Sequence, residues 1–469
     1  MNAKPFTTPT DIAFASKCLH NWFLECTGDV SRRRPPDAGL RLIMERGIKR
    51  EEDVIARFDA LEKIDWDGKD WNEGMALTEE AMKKGNPWIY QGVLIRENMR
   101  GRPDLLKRIE GHSKVGEHSY IPVDIKGHKE VTKKDRFQLN AYADMLHPLL
   151  GKRPLVGAIL LNTGKLEEVD LTTDESEYRS LRAKMESILR GRIKTEGFKC
   201  GECNKCPWID VCSEDWKAKE SVCLLYGVSA DMATKFSEAG FPSWRKIADA
   251  RPKELAKKLK KPAPRARSLW VAAQAWKFNK PQIKKLPKFP TKIPIHFYDI
   301  ETHDGVVYLH GNIRLYGDDR QAVQYIARDA SGEEQAWHDW LDFLAKDKKA
   351  HVYCWSEYER GFAESLWAKY GGNENGWKHL AGNLVDQCAF VRDHFALPTS
   401  GYSIKKVAPF FGFEWDAKDA GGLNSESWYG DWLESGDEAI LKKILRYNLD
   451  DVTAMEVIHK KLVEFVKTL

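Results

Sequence analysis

Ile121-Pro-Val-Asp124-Ile-Lys126 is an apolar stretch interrupted by one acid and one base. Alternate residues of a strand point to the same face, so Asp124 and Lys126 are expected to project together. A second short strand candidate, Gly101-Arg-Pro-Asp104-Leu-Leu, carries Asp104 at its start. Paired carboxylates with a lysine beside them can bind a hard divalent cation through oxygen and orient an attacking water. Downstream, Asp135-Arg-Phe-Gln138-Leu-Asn-Ala-Tyr142 reads as a helix with Gln138 and Tyr142 one turn apart on one face. Upstream, Gly47-Ile-Lys-Arg-Glu51 lies in a helix-like run over 37–59 and offers a further carboxylate. A strand starting at Val156 closes this unit.

The chain around these motifs has 469 residues, enough for about three domains. Its 42% hydrophobic and 31% charged content is an ordinary globular balance. No apolar run approaches the roughly 18 residues needed to span a bilayer, which excludes a membrane protein. The stretch Met1-Asn-Ala-Lys-Pro-Phe-Thr-Thr has no apolar run behind a basic start, so no secretory signal is expected and the cytoplasm is the expected compartment.

Net charge is only +4, but its distribution is uneven. Residues 251–292 hold 14 Lys/Arg against one acid, Glu254, and six prolines. Three domains are expected: 1–216 with the motifs above, 217–292 helical and then basic, and 293–469 with alternating strands and helices. In the middle segment, short helices over 230–240, 244–250 and 252–259 resemble a helix-hairpin-helix unit, whose turn amides can hold a phosphate backbone. A small helical connector with a solvated face is the alternative. The Pro/Lys-rich run 280–294 reads as a linker. Trp270, Trp276 and Phe278 among the basic residues suggest stacking on bases along a tracked backbone, against an ordinary solvated linker.

Nine cysteines without an export signal argue against a disulfide framework. Cys203, Cys206 and Cys212 are closely spaced, and a four-coordinate site needs one more ligand. Cys200 can complete it locally as a zinc knot. Cys18 can complete it from the other end of the unit, closing a loop of 184 residues (19 to 202). Cys26 is a further extra, whereas Cys223, Cys354 and Cys388 read as isolated thiols.

The third segment opens with Ile295-His-Phe-Tyr-Asp299-Ile-Glu301, two acids on one face of an apolar strand. Exposing two carboxylates there is costly unless a cation neutralises them. Strands over 306–315 and 322–327 and helices over 334–346, 357–370 and 438–467 give the alternation of an α/β domain. On the last helix, Tyr447 and Asp451 are one turn apart and face the same way.

These ordered sets carry resemblances. The first unit resembles the PD-(D/E)XK nucleases of the RecB-like group. Gly47 and Glu51 fall on the first motif, Asp104 on G-x-x-D, Asp124 and Lys126 on D-x-K, and Gln138 and Tyr142 on Q-x-x-x-Y. The resemblance implies that Glu51, Asp104 and Asp124 hold Mg²⁺ or Mn²⁺, that Lys126 orients the water, and that Gln138 and Tyr142 contact DNA or brace the site. The cysteines resemble those of iron–sulfur members of this group, which implies a [4Fe–4S] cluster on Cys18, Cys203, Cys206 and Cys212, with zinc as the alternative.

The last segment resembles the DEDD exonucleases of the ribonuclease-H-like fold, in the DEDDy branch and of YprB-like type. That implies metal ligands Asp299, Glu301, Glu359 and Asp451, with Tyr447 assisting the water. Glu359 stands where the family usually has Asp, without the preceding Asn; Asp386 is the alternative acid. The segment Gly401-Tyr-Ser-Ile-Lys-Lys-Val-Ala resembles the S-L-K stretch of these domains.

The fold class expected is therefore α/β multi-domain: a restriction-endonuclease-like domain, a small helical segment and a ribonuclease-H-like domain. The function implied is a metal-dependent DNA nuclease acting on single strands or frayed ends in repair, recombination or defence. Alternatives are an RNA-processing 3′–5′ exonuclease working through the last domain, and a non-catalytic nucleic-acid-binding scaffold. Some relatives carry a fused helicase; here a helicase is expected as a separate partner.

Overall fold

A computed structural model of the chain describes residues 6–416 and 422–469, so the first five residues of the amino-terminal stretch lie outside it. The chain divides into two compact units, Met1–Pro35 with Ile43–Ser213, and Pro36–Leu42 with Glu214–Leu469. Among the described residues no helix is long and apolar enough to cross a membrane.

The first unit is built on a six-stranded mixed sheet. From edge to edge its strands are Leu61–Lys63, Trp88–Tyr90, Leu105–Ser113, Gly116–Ile125, Val156–Leu160 and Leu166–Asp170. Leu105–Ser113 and Gly116–Ile125 pair antiparallel with Leu105 opposite Val123, and Gly116–Ile125 runs parallel to Val156–Leu160. Helix Lys133–Leu150 packs on the sheet. It begins at a capping box in which Thr132 and Asp135 satisfy each other's backbone amides. Its apolar face joins Ile12, Trp22, Tyr120 and Tyr178 in a core where each is at most 1% exposed. Gly101 is required by close approach: a Cβ there would lie 2.8 Å from Pro9 Cδ and 3.1 Å from Tyr142 Cε1.

The second unit contains a five-stranded sheet in the order Asp319–Ile326, Val306–Tyr316, Ile295–His303, His351–Cys354, Leu384–Asp386. The first two neighbour pairs are antiparallel and the last two parallel. The 30-residue helix Glu438–Lys467 packs across the central strands, burying Ile444, Val452, Met455 and Ile458 against them. The expected helices 334–346 and 357–370 are observed as Glu333–Leu344 and Tyr358–Tyr370.

The segment 217–292 differs from expectation in its basic part. Helices Ala230–Glu238, Trp244–Asp249 and Pro252–Lys258 are followed by a fourth, Ala263–Phe278. This last helix presents Val271, Ala273 and Ala275 to the interior. Trp276 stacks on Trp244 at 6.3 Å, Trp270 is half-buried, and Phe278 is exposed. The run 280–294 is not a free linker. Gln282–Ile283 pairs antiparallel with Phe395–Ala396, Lys284 N donates to His394 O at 2.8 Å, and Lys284 Nζ donates to Arg392 O at 2.8 Å. Proline and lysine content does not distinguish a solvated connector from an extended strap docked by its backbone.

Candidate active sites

In the first unit the strand register does the assembling. One step beyond the Leu105–Val123 pair, Asp104 meets Asp124, and Ile125 N donates to Asp104 Oδ2 at 2.7 Å. Asp124 is fully buried, and neither of its oxygens meets a hydrogen-bond donor in good geometry. Lys126 Nζ lies 3.2 Å from Asp124 Oδ2 as an ion pair and donates to Gln138 Oε1 at 3.1 Å. Burial, with the like charges of Asp124 and Glu51 against the relief of Lys126, pushes the Asp104 carboxyl well above the carboxylate range. Burial works against the Lys126 ammonium, but Asp124 and Asp104 outweigh it and raise its pKa. Two facing acids, one with orphaned buried oxygens, form a strained electrostatic arrangement that a divalent cation would relieve.

The other expected residues of this site fall around it unequally. Glu51, on helix Ala38–Ile55, accepts from Gln91 Nε2 at 2.8 Å, and Tyr90 hydrogen-bonds to it as well. Among the described residues, Glu51, Asp104 and Asp124 do not bring three oxygens within 4.8 Å of one another. Glu51 was expected to converge with the other two acids; its hydrogen bonds hold it at the edge of the site, near enough to press on Asp104's ionisation.

Gln138 and Tyr142, expected to contact nucleic acid or to brace the site, lie one turn apart on helix Lys133–Leu150 beside Lys126. Tyr142 is 4% exposed and donates its hydroxyl to Arg102 O at 2.9 Å. Gln138 is occupied by Lys126.

The second unit presents a tighter group. Oxygens of Asp299, Glu301 and Asp451 all lie within 4.8 Å of one another. Asp299 and Glu301 come from the central strand, and Asp451 from the long helix. Burial, then Glu301 and Asp451, pushes Asp299 well above the carboxylate range, while burial and Asp451 bring Glu301 up to about 8. Oxygen-only donors this close suit a hard cation such as Mg²⁺ or Mn²⁺. Tyr447, buried one turn before Asp451, has a phenol driven up by burial and then by Asp451.

Glu359 stands apart from this trio. It starts helix Tyr358–Tyr370, accepts from Ser356 Oγ at 3.1 Å, and is pushed up to about 7, chiefly by burial. Its charge is felt at Asp299 and Glu301. Expected among the ligand oxygens, its carboxylate is held by the serine beside the trio. Asp386 caps helix Gln387–His394, accepting from Ala389 N at 2.9 Å.

Three residues around the trio escaped sequence reading. Asn448 Nδ2 donates to Asp299 Oδ2 at 2.9 Å, and Ser425 Oγ donates to Glu301 Oε2 at 2.7 Å. Lys405 Nζ lies 2.8 Å from Asp451 Oδ1. The positions of Asn448, next to Tyr447, and of Lys405, within the S-L-K-like segment, gave a signal.

The cysteines from opposite ends of the first unit do meet. The Cys18 thiol hydrogen-bonds to Cys200, whose Sγ is 3.8 Å from Cys203 Sγ. Hydrogen bonds from Cys18 and then Cys203 hold the Cys200 thiol far below the usual range. Cys206 Sγ accepts from Asn21 Nδ2 at 3.4 Å, and Cys212 lies on helix Ile209–Ala218. Cys26 is buried in the hydrophobic core. Two sulfurs 3.8 Å apart match neighbours on one zinc ion, whose Zn–S bonds are about 2.3 Å. Among the described residues, however, no three of these sulfurs lie within 4.8 Å of one another.

Comparison with known proteins agrees with both geometries. Residues 17–213 match the model of the PD-(D/E)XK nuclease superfamily, and residues 296–463 match that of the RNase_H superfamily. No curated protein matches the chain. The chain thus joins a PD-(D/E)XK nuclease superfamily domain to an RNase_H superfamily domain, in that order, with helical segments between them.

Proposed function

We propose that this metal-dependent nuclease hydrolyses DNA at two sites, acting on single strands or frayed ends. In the first, Asp104 and Asp124, with Glu51 beside them, would hold Mg²⁺ or Mn²⁺, and Lys126 would orient the water. In the second, Asp299, Glu301 and Asp451 hold the ion, Tyr447 positions the water, and Glu359 serves from the side. The observation that carries this reading is the carboxylate of Asp124, fully buried opposite Asp104 and paired with Lys126. A bound cation stabilises the charge that develops at phosphorus and makes the attacking water a better nucleophile.

A [4Fe–4S] cluster on Cys18, Cys203, Cys206 and Cys212 ties the start of the first domain to its end. What supports this is that cysteines from the two ends of the unit meet, Cys18 hydrogen-bonding to Cys200 beside Cys203. The two catalytic centres degrade from opposite ends, the first from 5′ and the second from 3′. A separate helicase supplies unwound substrate in the cytoplasm, in repair, recombination or defence.

End-labelled single-stranded DNA and RNA, incubated in Mn²⁺ with wild type, Asp124→Ala and Asp299→Ala, test this reading. Each variant is expected to lose degradation of DNA from one end and keep the other. RNA degraded through the second site alone would favour an RNA-processing enzyme. Absence of cleavage by the wild type would leave a binding scaffold.

A further inference from the structure

A fifth cysteine precedes the trio at the end of the first unit. Cys200-Gly-Glu-Cys203 is a C-x-x-C motif, and the ligand set of Cys18, Cys203, Cys206 and Cys212 leaves Cys200 over. Cys200 caps the short 3-10 helix Gly201–Lys205. In that turn Cys203 N donates to Cys200 O at 3.2 Å, and Cys200 N donates to Cys203 Sγ at 3.3 Å. The two sulfurs are thereby brought to 3.8 Å. A disulfide needs about 2.0 Å, a gap that side-chain rotation within one turn can close. The turn has room to adjust, because Gly201 and Asn204 are exposed and a Cβ at Gly201 would meet nothing within 4 Å. Both cysteines are half-buried, so a small polar oxidant reaches them.

We propose that Cys200 and Cys203 form a peroxide-oxidisable dithiol, a covalent modification site that controls whether Cys203 is free to bind metal. That control rests on the reading of Cys203 as a metal ligand; the oxidation itself does not. Cys200 reacts first, since no metal claims it. Its sulfur attacks the peroxide, the O–O bond breaks, one oxygen stays on Cys200 as a sulfenic acid and the other leaves as water. The Cys203 sulfur then attacks Cys200: the S–S bond forms, the S–O bond breaks, and the second oxygen leaves as water. Two electrons pass from the sulfurs to the peroxide. The two thiol protons complete the waters, or solvent supplies the second where Cys203 starts as a metal-bound thiolate. A disulfide has no thiolate to offer, so Cys203 leaves the ligand set, and a small dithiol restores it by exchange. Cys18, hydrogen-bonded to Cys200, is the competing partner. Cys203 is favoured because it shares a turn with Cys200, in which only side chains need move, whereas Cys18 stands at the start of helix Leu19–Thr27.

Trypsin cuts after Lys199 and Lys205, so the hexapeptide 200–205 carries these two cysteines and no other. The full-length chain, purified anaerobically, is treated with a slight excess of hydrogen peroxide, alkylated, digested and weighed by mass spectrometry. The hexapeptide is expected to lose two hydrogens and escape alkylation, and to regain both thiols after dithiothreitol. Given ferrous iron and sulfide, the reduced wild type is expected to recover its absorption near about 400 nm. Cys200→Ser, unable to form the bond, is expected to carry Cys203 as a sulfinic or sulfonic acid and to lose that recovery. A hexapeptide that stays fully alkylated, or one cross-linked to peptide 18–32, would overturn the proposal. Metal content before peroxide tests the ligand reading separately: a preparation without iron or zinc would overturn that reading, while the hexapeptide still decides the dithiol.

Discussion

Asn448 donates from Nδ2 to Asp299 Oδ2 at 2.9 Å while its carbonyl oxygen lies over Gly311, the residue paired with Asp299 across the sheet. A Cβ at position 311 would sit 1.8 Å from that oxygen. Gln324 Nε2 fixes the same oxygen at 2.9 Å. The long helix is thereby keyed to the strand, and the key sets the rotamer of the acid that stands first in the cluster.

Asn448→Ala frees Asp299 without touching the trio itself. Loss of such an outer contact typically costs about 10–100-fold in metal affinity or activity. Mn²⁺ titration in the Asp124→Asn background checks this. Gly311→Ala forces Asn448 aside and is expected to destabilise the fold by about 1–3 kcal/mol, read by urea unfolding.

Glu301 supports a prediction on pH. With its pKa brought to about 8 in the folded chain and near 4.3 when unfolded, the folded state binds the extra proton. Metal-free stability therefore falls as pH rises from about 4.5 to about 8 and stays low above that. Calorimetry without divalent ions is expected to show the melting temperature of this unit dropping by several degrees across that window. Added Mn²⁺ restores it, and Glu301→Gln flattens the slope.

How much of this was legible in advance depended on distance along the chain. Strand alternation placed Asp299 with Glu301 and Asp124 with Lys126, and helical periodicity placed Tyr447 with Asp451, because each relation is local. Asn448, Ser425 and Lys405 act through contacts 149, 124 and 46 residues apart, which no local period encodes. Glu51 was found by its motif but drawn aside by Tyr90 and Gln91, a competition between hydrogen bonds that a motif cannot express. The strap at Gln282–Ile283 was missed for a related reason: its partner, Phe395–Ala396, lies more than 100 residues later.

Asp124 should behave as a residue kept for chemistry. Asp124→Asn removes the carboxylate that faces Asp104 but also the partner of Lys126 at 3.2 Å, so metal-free stability of the first unit is expected to change by no more than about 1 kcal/mol. It should slow cleavage at this site by at least about a hundredfold. Thermal melts and the single-site assay in an Asp299→Ala background measure the two effects separately.

The cysteines make a separable prediction. Anaerobically purified protein is expected to absorb broadly near about 400 nm and to contain iron. Cys18→Ser should lose both and expose the first unit to proteolysis, because the closure over 184 residues is released. Cys200→Ser should keep its iron. A colourless preparation with stoichiometric zinc would replace the cluster by a zinc site.

The most direct measurement is anomalous scattering from crystals soaked in Mn²⁺. The account predicts one peak between Asp104 and Asp124, and one among Asp299, Glu301 and Asp451 with Lys405 still beside the last. Crystals that show Mn²⁺ at neither carboxylate group, at concentrations that support cleavage, would contradict it.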